Sequence, residues 1–206
     1  MAIPQLVSAE EWQQARKELL IAEKEATRAQ DALAARRRRL PMVAFDNYTF
    51  TSTNGPVTLL ELFAGNNQLM LYQFMDVGPD GLCPGCTHLT NNVTGLDILA
   101  GAGISWATVS KMPIEQIDRV KAEHGWTLPF HSSRGTTFAK DTGADGGFLL
   151  NAFLLDGDNI YRTYSTTRRG VDRILFVNNI QDLAVYGRQE DWEDSPDGWP
   201  QHPTYG

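Results

Sequence analysis

The sequence predicts an α/β domain, a central mixed sheet flanked by helices, with a long helix ahead of it and a short acidic tail behind. Three observations carry that expectation. Strand-like and helix-like apolar patterns alternate from residue 41 to about 187, which implies parallel strands joined by crossover helices. Two apolar runs on either side of Asp156-Gly157-Asp158-Asn159 add an antiparallel hairpin. Residues 8 to about 40 repeat apolar side chains at helical spacing with no turn signal between them. The expected division is 1–40 for the long helix, 41–187 for the domain and 188–206 for the tail.

The long helix comes first. Ser8 followed by Glu11 is a capping-box pattern, and Trp12, Ala15, Leu19, Ala22, Ala26, Ala29, Leu33 and Leu40 keep a 3-4 spacing, with Arg36 where an apolar residue would fall. That is a heptad seam of about four heptads. Two readings stay open: the helix lies across its own domain, or it pairs with a second copy to make a homodimer. Arg36-Arg37-Arg38-Arg39 complement the negative end of the helix dipole before Pro41 stops the helix, so they read as a solvated end rather than a nucleic-acid site.

Within the domain, residues 45–51 (FDNYTFT) alternate as a strand, Asn54-Gly55-Pro56 turns the chain, and residues 57–63 (VTLLELF) lead to Gly65-Asn66-Asn67. Residues 68–75 (QLMLYQFM) form a buried strand that runs straight into a CxxC segment. A helix is expected from Pro84 to about Ala100, a strand over 103–110, a helix over 113–125, then the hairpin and a last helix from about Gly170 to Val185. In the tail, Glu190, Asp191, Glu193, Asp194 and Asp197 surround Trp192 and Trp199. The tryptophans should dock while the carboxylates stay wet.

Composition limits the function classes. A chain of 206 residues buries a core without disulfide staples, so two cysteines are not a scaffold. With 42% hydrophobic and 21% charged residues and a net charge of −7, the chain is ordinary for a globular protein and excludes a general nucleic-acid surface. The N-terminus has no basic segment followed by an apolar stretch of signal-peptide length, and the run FLLNAFLLD is broken by Asn151 and stops at Asp156. A cytoplasmic location without a membrane partner is therefore expected, with a periplasmic form trimmed of its signal as the alternative. In the cytoplasm a CxxC pair is held reduced, which favours catalysis or metal binding over a structural bridge.

Both cysteines lie in Cys83-Pro84-Gly85-Cys86. A strand ending near Met75 and a helix beginning at Pro84 put Cys83 at the helix N-cap and Cys86 in its first turn. Unpaired backbone N–H groups and the positive end of the dipole favour a thiolate there; such thiols drop from about 8.5 to between about 3.5 and 7.5. Cys83 is then the nucleophile. Cys86, three residues on and on the same side of the helix, resolves the mixed disulfide, while Pro84 and Gly85 shape the turn and pre-set the helix start. Such a couple calls for no cofactor.

Two alternatives stand beside it. Structural zinc needs four ligands, and the chain adds to its cysteines only the scattered His88, His124, His131 and His202. A two-thiolate copper or zinc site completed by His88 or His131 is one alternative, and a dimeric binding protein with inert thiols is the other. His88 reads most simply as a helix surface residue. Asp76 and Asp80 either accept a proton from Cys86 or shape the turn, and Trp106 and Trp126 read as core or rim aromatics.

The order strand, CPGC, helix, strand, helix, hairpin, helix resembles the thioredoxin fold, and VTLLELF…QLMLYQFM…CPGC is similar to thioredoxin-like and peroxiredoxin-like proteins. More closely, the whole chain resembles a thioredoxin-like bacterial family catalogued as domain of unknown function, number eight hundred and ninety-nine. The resemblance rests on residues 8–41 (SAEEWQQARKELLIAEKEATRAQDALAARRRRLP), the CPGC segment, residues 109–133 (VSKMPIEQIDRVKAEHGWTLPFHSS) and residues 161–172 (YRTYSTTRRGVD). It implies a thiol-disulfide oxidoreductase acting on an unknown protein or small-molecule disulfide.

Two departures qualify what carries over. Thioredoxins place a cis-proline before the hairpin strand that faces the CxxC, where this chain reads Asp145-Gly146-Gly147-Phe148-Leu149-Leu150. Peroxiredoxins carry a threonine or serine three residues before the reactive cysteine; here Pro79 lies four residues before Cys83 and Asp80 takes the threonine position. A peroxidase of that type is not supported. Arg162 and Arg168 flank the hairpin, either solvated or placed to hold an anionic substrate.

Overall fold

The structure is a computed structural model that describes residues 3–201, and His202 lies outside the described residues. Helix α1 (Ala9–Arg37) opens with the expected capping box, the Ser8 side chain accepting from the Glu11 N–H and the Glu11 carboxylate from the Ser8 N–H. None of its residues is buried. Its last turns approach the domain, where Ala34, Ala35 and Arg37 are half-buried and the Arg37 guanidinium sits 5.3 Å from the Tyr164 ring centre. The reading that this helix lies across its own domain is thereby corrected, since its apolar seam finds no cover among the described residues.

One eight-stranded mixed sheet follows, in the order β1-β8-β7-β4-β5-β6-β2-β3. Its strands are β1 (Val43–Phe45), β2 (Thr49–Ser52), β3 (Gly55–Thr58), β4 (Gln68–Phe74), β5 (Ile104–Ser110), β6 (Phe130–Ser132), β7 (Leu149–Asp156) and β8 (Asn159–Thr166). Strand β4 lies at the centre, parallel to β5 and antiparallel to β7. Its alternation sends Leu69 and Leu71 into a core with Phe50, Phe63, Phe138 and Phe153, and Tyr72 and Phe74 into a second core with both cysteines, Ile117, Trp126 and Leu175.

The strand expected over 45–51 is two strands. β1 pairs with β8 and β2 with β3 and β6, six strand positions apart in the sheet order. Three residues cannot bridge six flat spacings of about 4.8 Å each, so the sheet curls. Phe138 fills the bend, edge-on to Phe45, Tyr48 and Phe50 at 5.1 to 5.8 Å.

Three further differences have local causes. The helix expected from Pro84 to Ala100 divides into α2 (Pro84–Asn91) and α3 (Leu96–Gly101), because Gly95 takes a left-handed φ of 66° and Asn92 turns its amide back to the His88 carbonyl. Helix α4 (Ile114–His124) is as expected, whereas β6 and the short α5 (Phe138–Thr142) carried too little periodicity to be read. The last helix is a 3-10 stretch over Arg168–Ile174, then α6 (Phe176–Leu183), separated by extended Leu175. No helix among the described residues is long and apolar enough to cross a membrane.

The tail docks, but not all of its carboxylates stay wet. The Arg169 guanidinium lies 3.5 Å from the Trp192 ring centre, and Trp199 meets Tyr186 edge-on. Buried Arg188 bridges Asp172, Asp182 and Glu193, and Glu190 is buried as well.

Candidate active site

Cys83 is the N-cap residue of α2, with extended backbone (φ −61°, ψ 117°), Pro84 at the first helical position and Cys86 at the third. The Cys86 N–H donates to Cys83 Sγ at 3.4 Å, so a sulfur fills the place a serine or aspartate oxygen usually takes at a helix start. Thr87 N–H donates to the Cys83 carbonyl at 2.9 Å and closes the first turn. A negative charge on that sulfur meets an oriented donor and the positive helix end.

The second thiol lives in a different environment. Cys86 is fully buried, and burial pushes its thiol up to about 12, with the adjacent Cys83 sulfur adding to the rise; the Tyr72 hydroxyl and the Met75 N–H, 3.5 Å from Cys86 Sγ, oppose it. Both cysteines are free thiols. The pair is therefore asymmetric: Cys83 on the surface side with a donor aimed at it, and Cys86 beneath it holding its proton.

The loop ahead of Cys83 is fastened from outside. Gln116 of α4 donates to the Gly78 carbonyl at 2.9 Å and Arg119 to that of Pro79 at 3.2 Å. Asp76 Oδ1 accepts from the Gly78 N–H at 2.9 Å, which assigns that carboxylate to turn formation, and Asp80 is exposed in the same turn. Tyr72, not a carboxylate, is the side chain beside Cys86. The signal for it was present, because the period of two along β4 puts Tyr72 on the face from which α2 hangs.

The other candidates separate cleanly. His88 Nε2 lies 2.8 Å from Asn178 Oδ1, tying α2 to α6, and half-buried His131 stands in β6, its imidazole pushed down to about 4 by burial and by the Lys121 charge. No group of three His, Cys, Asp or Glu side chains able to hold a metal comes together among the described residues. Trp126 is buried, stacked on His124 at 4.6 Å with its indole N–H on Asn91, and Trp106 is half-buried at the edge of the same core. Arg162 is tied down by the Thr142 carbonyl at 2.8 Å and lies over Phe45. Arg168 instead borders a cavity beside Cys83. The segment Asp145-Gly146-Gly147, where a thioredoxin has its cis-proline, borders a different hollow of about 330 Å³ and pairs Asp145 with Lys111.

Comparison with known proteins gives a family and a fold. Residues 1–205 match a family described as "Bacterial protein of unknown function (DUF899)". No curated protein matches. Among solved structures, peroxidoxin BcpB from Mycobacterium tuberculosis is similar with a TM-score of 0.51 at 17% identity, over 66% of this chain and 94% of that one. A putative thiol:disulfide interchange protein DsbE from Chlorobium tepidum gives 0.47 at 12% identity, over 66% and 95%. The match to the peroxidoxin and the strand order give a thioredoxin-like fold, with a long helix added in front and an acidic tail behind.

Proposed function

The chain belongs to the DUF899 family of bacterial proteins, and on that premise we propose that it is a thiol-disulfide oxidoreductase in which Cys83 attacks and Cys86 resolves. The observation that carries the reading is the asymmetry of the pair. Cys83 Sγ, at a helix N-cap and accepting the Cys86 N–H, borders an open cavity where a disulfide can reach it, and a buried neutral thiol one turn below is placed as the second reactant. The fold, shared with a peroxidoxin, is compatible with thiol chemistry of this kind.

The steps balance as follows. The Cys83 thiolate attacks one sulfur of a substrate disulfide, forming a Cys83–substrate disulfide and expelling the other half as a thiolate. That thiolate takes up the proton that Cys86 gives up, and Cys86 Sγ then attacks Cys83 Sγ. The second substrate half leaves as a thiolate, the substrate has gained two electrons, and the Cys83–Cys86 disulfide awaits an external dithiol reductant.

Single substitutions separate the two roles. In a disulfide-reduction assay Cys83→Ser should lose essentially all activity, while Cys86→Ser should halt after the first step as a substrate adduct on Cys83, visible by intact mass. Adduct formation on Cys86 in the Cys83→Ser protein at a similar rate would contradict the assignment.

A further inference from the structure

A cavity of about 380 Å³ opens beside the sulfur of Cys83. Its floor is apolar: Leu89 of α2, Phe148 ahead of β7, Val171 of the 3-10 stretch and Leu175 just after it. Cys83 is only 7% exposed. A reactant must enter this hollow to meet the sulfur, and its volume suits a small molecule better than a folded protein surface.

The unmatched charge at the rim is positive. Asp172 borders the cavity but is matched by Arg169 at 3.3 Å and by buried Arg188 at 3.0 Å, and Arg169 is further held over Trp192. Arg168 borders the same cavity with no hydrogen bond or ion pair among the described residues, and its backbone is left-handed at φ 50°, a conformation that is strained for a side-chain-bearing residue.

Building on the proposed oxidoreductase, we infer that its substrate is a compact, largely apolar disulfide bearing a carboxylate, its apolar part against Val171, Leu175 and Phe148 and its carboxylate on Arg168. Arg168 is a binding residue that selects charge; Cys83 supplies the chemistry already described.

Single-turnover kinetics of the full-length reduced Cys86→Ser protein test this with three probes. These are 5,5′-dithiobis(2-nitrobenzoate), which is aromatic and anionic, 2,2′-dithiodipyridine, aromatic and neutral, and oxidised glutathione, polar. Each rate is divided by that of N-acetylcysteine to remove intrinsic reactivity. The nitrobenzoate disulfide should outpace oxidised glutathione about tenfold on this scale. Arg168→Gln should lower the ratio of the nitrobenzoate to the dipyridine rate about three- to fivefold, the size of one exposed charge pair, and Arg168→Lys should restore most of it. No preference among the probes, or an unchanged ratio in Arg168→Gln, overturns the assignment. If no probe reacts with Cys83 at all, the oxidoreductase reading falls instead.

The exposed seam of α1 carries a second inference independently. Trp12, Leu19 and Leu33 are 54%, 56% and 44% exposed on a helix of 29 residues. Charge is unevenly spread along it, with Glu10 and Glu11 in the first turn and Arg36 to Arg39 at the end. The geometry points to a second copy of this chain as the occupant, paired antiparallel, so that the acidic start of each helix meets the arginines of the other. Leu19 then faces Ala29, and Leu33 faces Ala15, large against small. Sedimentation at micromolar concentration should give twice the 22.9 kDa chain mass, reduced to one by Leu19→Lys. In a Cys83→Ser, Cys86→Ser background, mixed Glu11→Cys and Arg37→Cys chains should cross-link on oxidation. A monomer, or cross-linking of Glu11→Cys only with itself, overturns the pairing.

Discussion

Cys86 is the residue on which the pair's division of labour rests. Its ordinary value is 9.0, and burial raises it to about 12. The folded protein thus holds this proton more tightly than the unfolded chain. The stability that follows is intact below about pH 9 and is lost as pH climbs toward about 12. Reactivity should follow the same window. In Cys83→Ser, alkylation of Cys86 is expected to be slow at neutral pH and to rise about tenfold per pH unit beyond it, as the thiolate fraction does. Removing the opposing hydroxyl with Tyr72→Phe should slow it further and delay the resolving step roughly tenfold. Alkylation of Cys86 at an ordinary cysteine rate near neutral pH would remove the asymmetry.

At the scale of elements, the strand-to-helix turn was the legible part and its surroundings were not. β4 announced itself by an apolar run and α2 by Pro84 at its first position, so Cys83 at the N-cap and Cys86 within the first turn could be read in advance. What lies over Cys83 could not. Val171 and Leu175 looked like one face of an ordinary helix, and it is a 3-10 stretch followed by extended Leu175 that sets them beside Cys83. The breaks at Gly95 and Leu175 were missed because each rests on the backbone conformation of a single residue, and β6 and α5 because they are too short to show a period. Arg162 and Arg168 were equivalent in sequence and were told apart only by the Thr142 carbonyl that holds the first.

For the whole molecule, the alternation of strands and helices was enough to read an α/β domain and the resemblance of its motifs supplied the thioredoxin-like fold, while the curl of the sheet was not readable, since it comes from a three-residue link between strands far apart in the sheet. The curl seats one aromatic core around Phe138 and leaves the other face of β4 for Tyr72, Phe74 and the two thiols. Strand β4 with α2 hung from its end holds the cysteines together, and the loop from β4 to Cys83 is pinned by α4. Oxidation should therefore join them within one chain with little rearrangement. Intact-mass analysis of the reduced protein after mild oxidation tests this most directly. A loss of two hydrogens per chain, with peptide mapping to a Cys83–Cys86 link and full reversal by a dithiol, is the result predicted. Thiols that stay free, or that link only between chains, would contradict it.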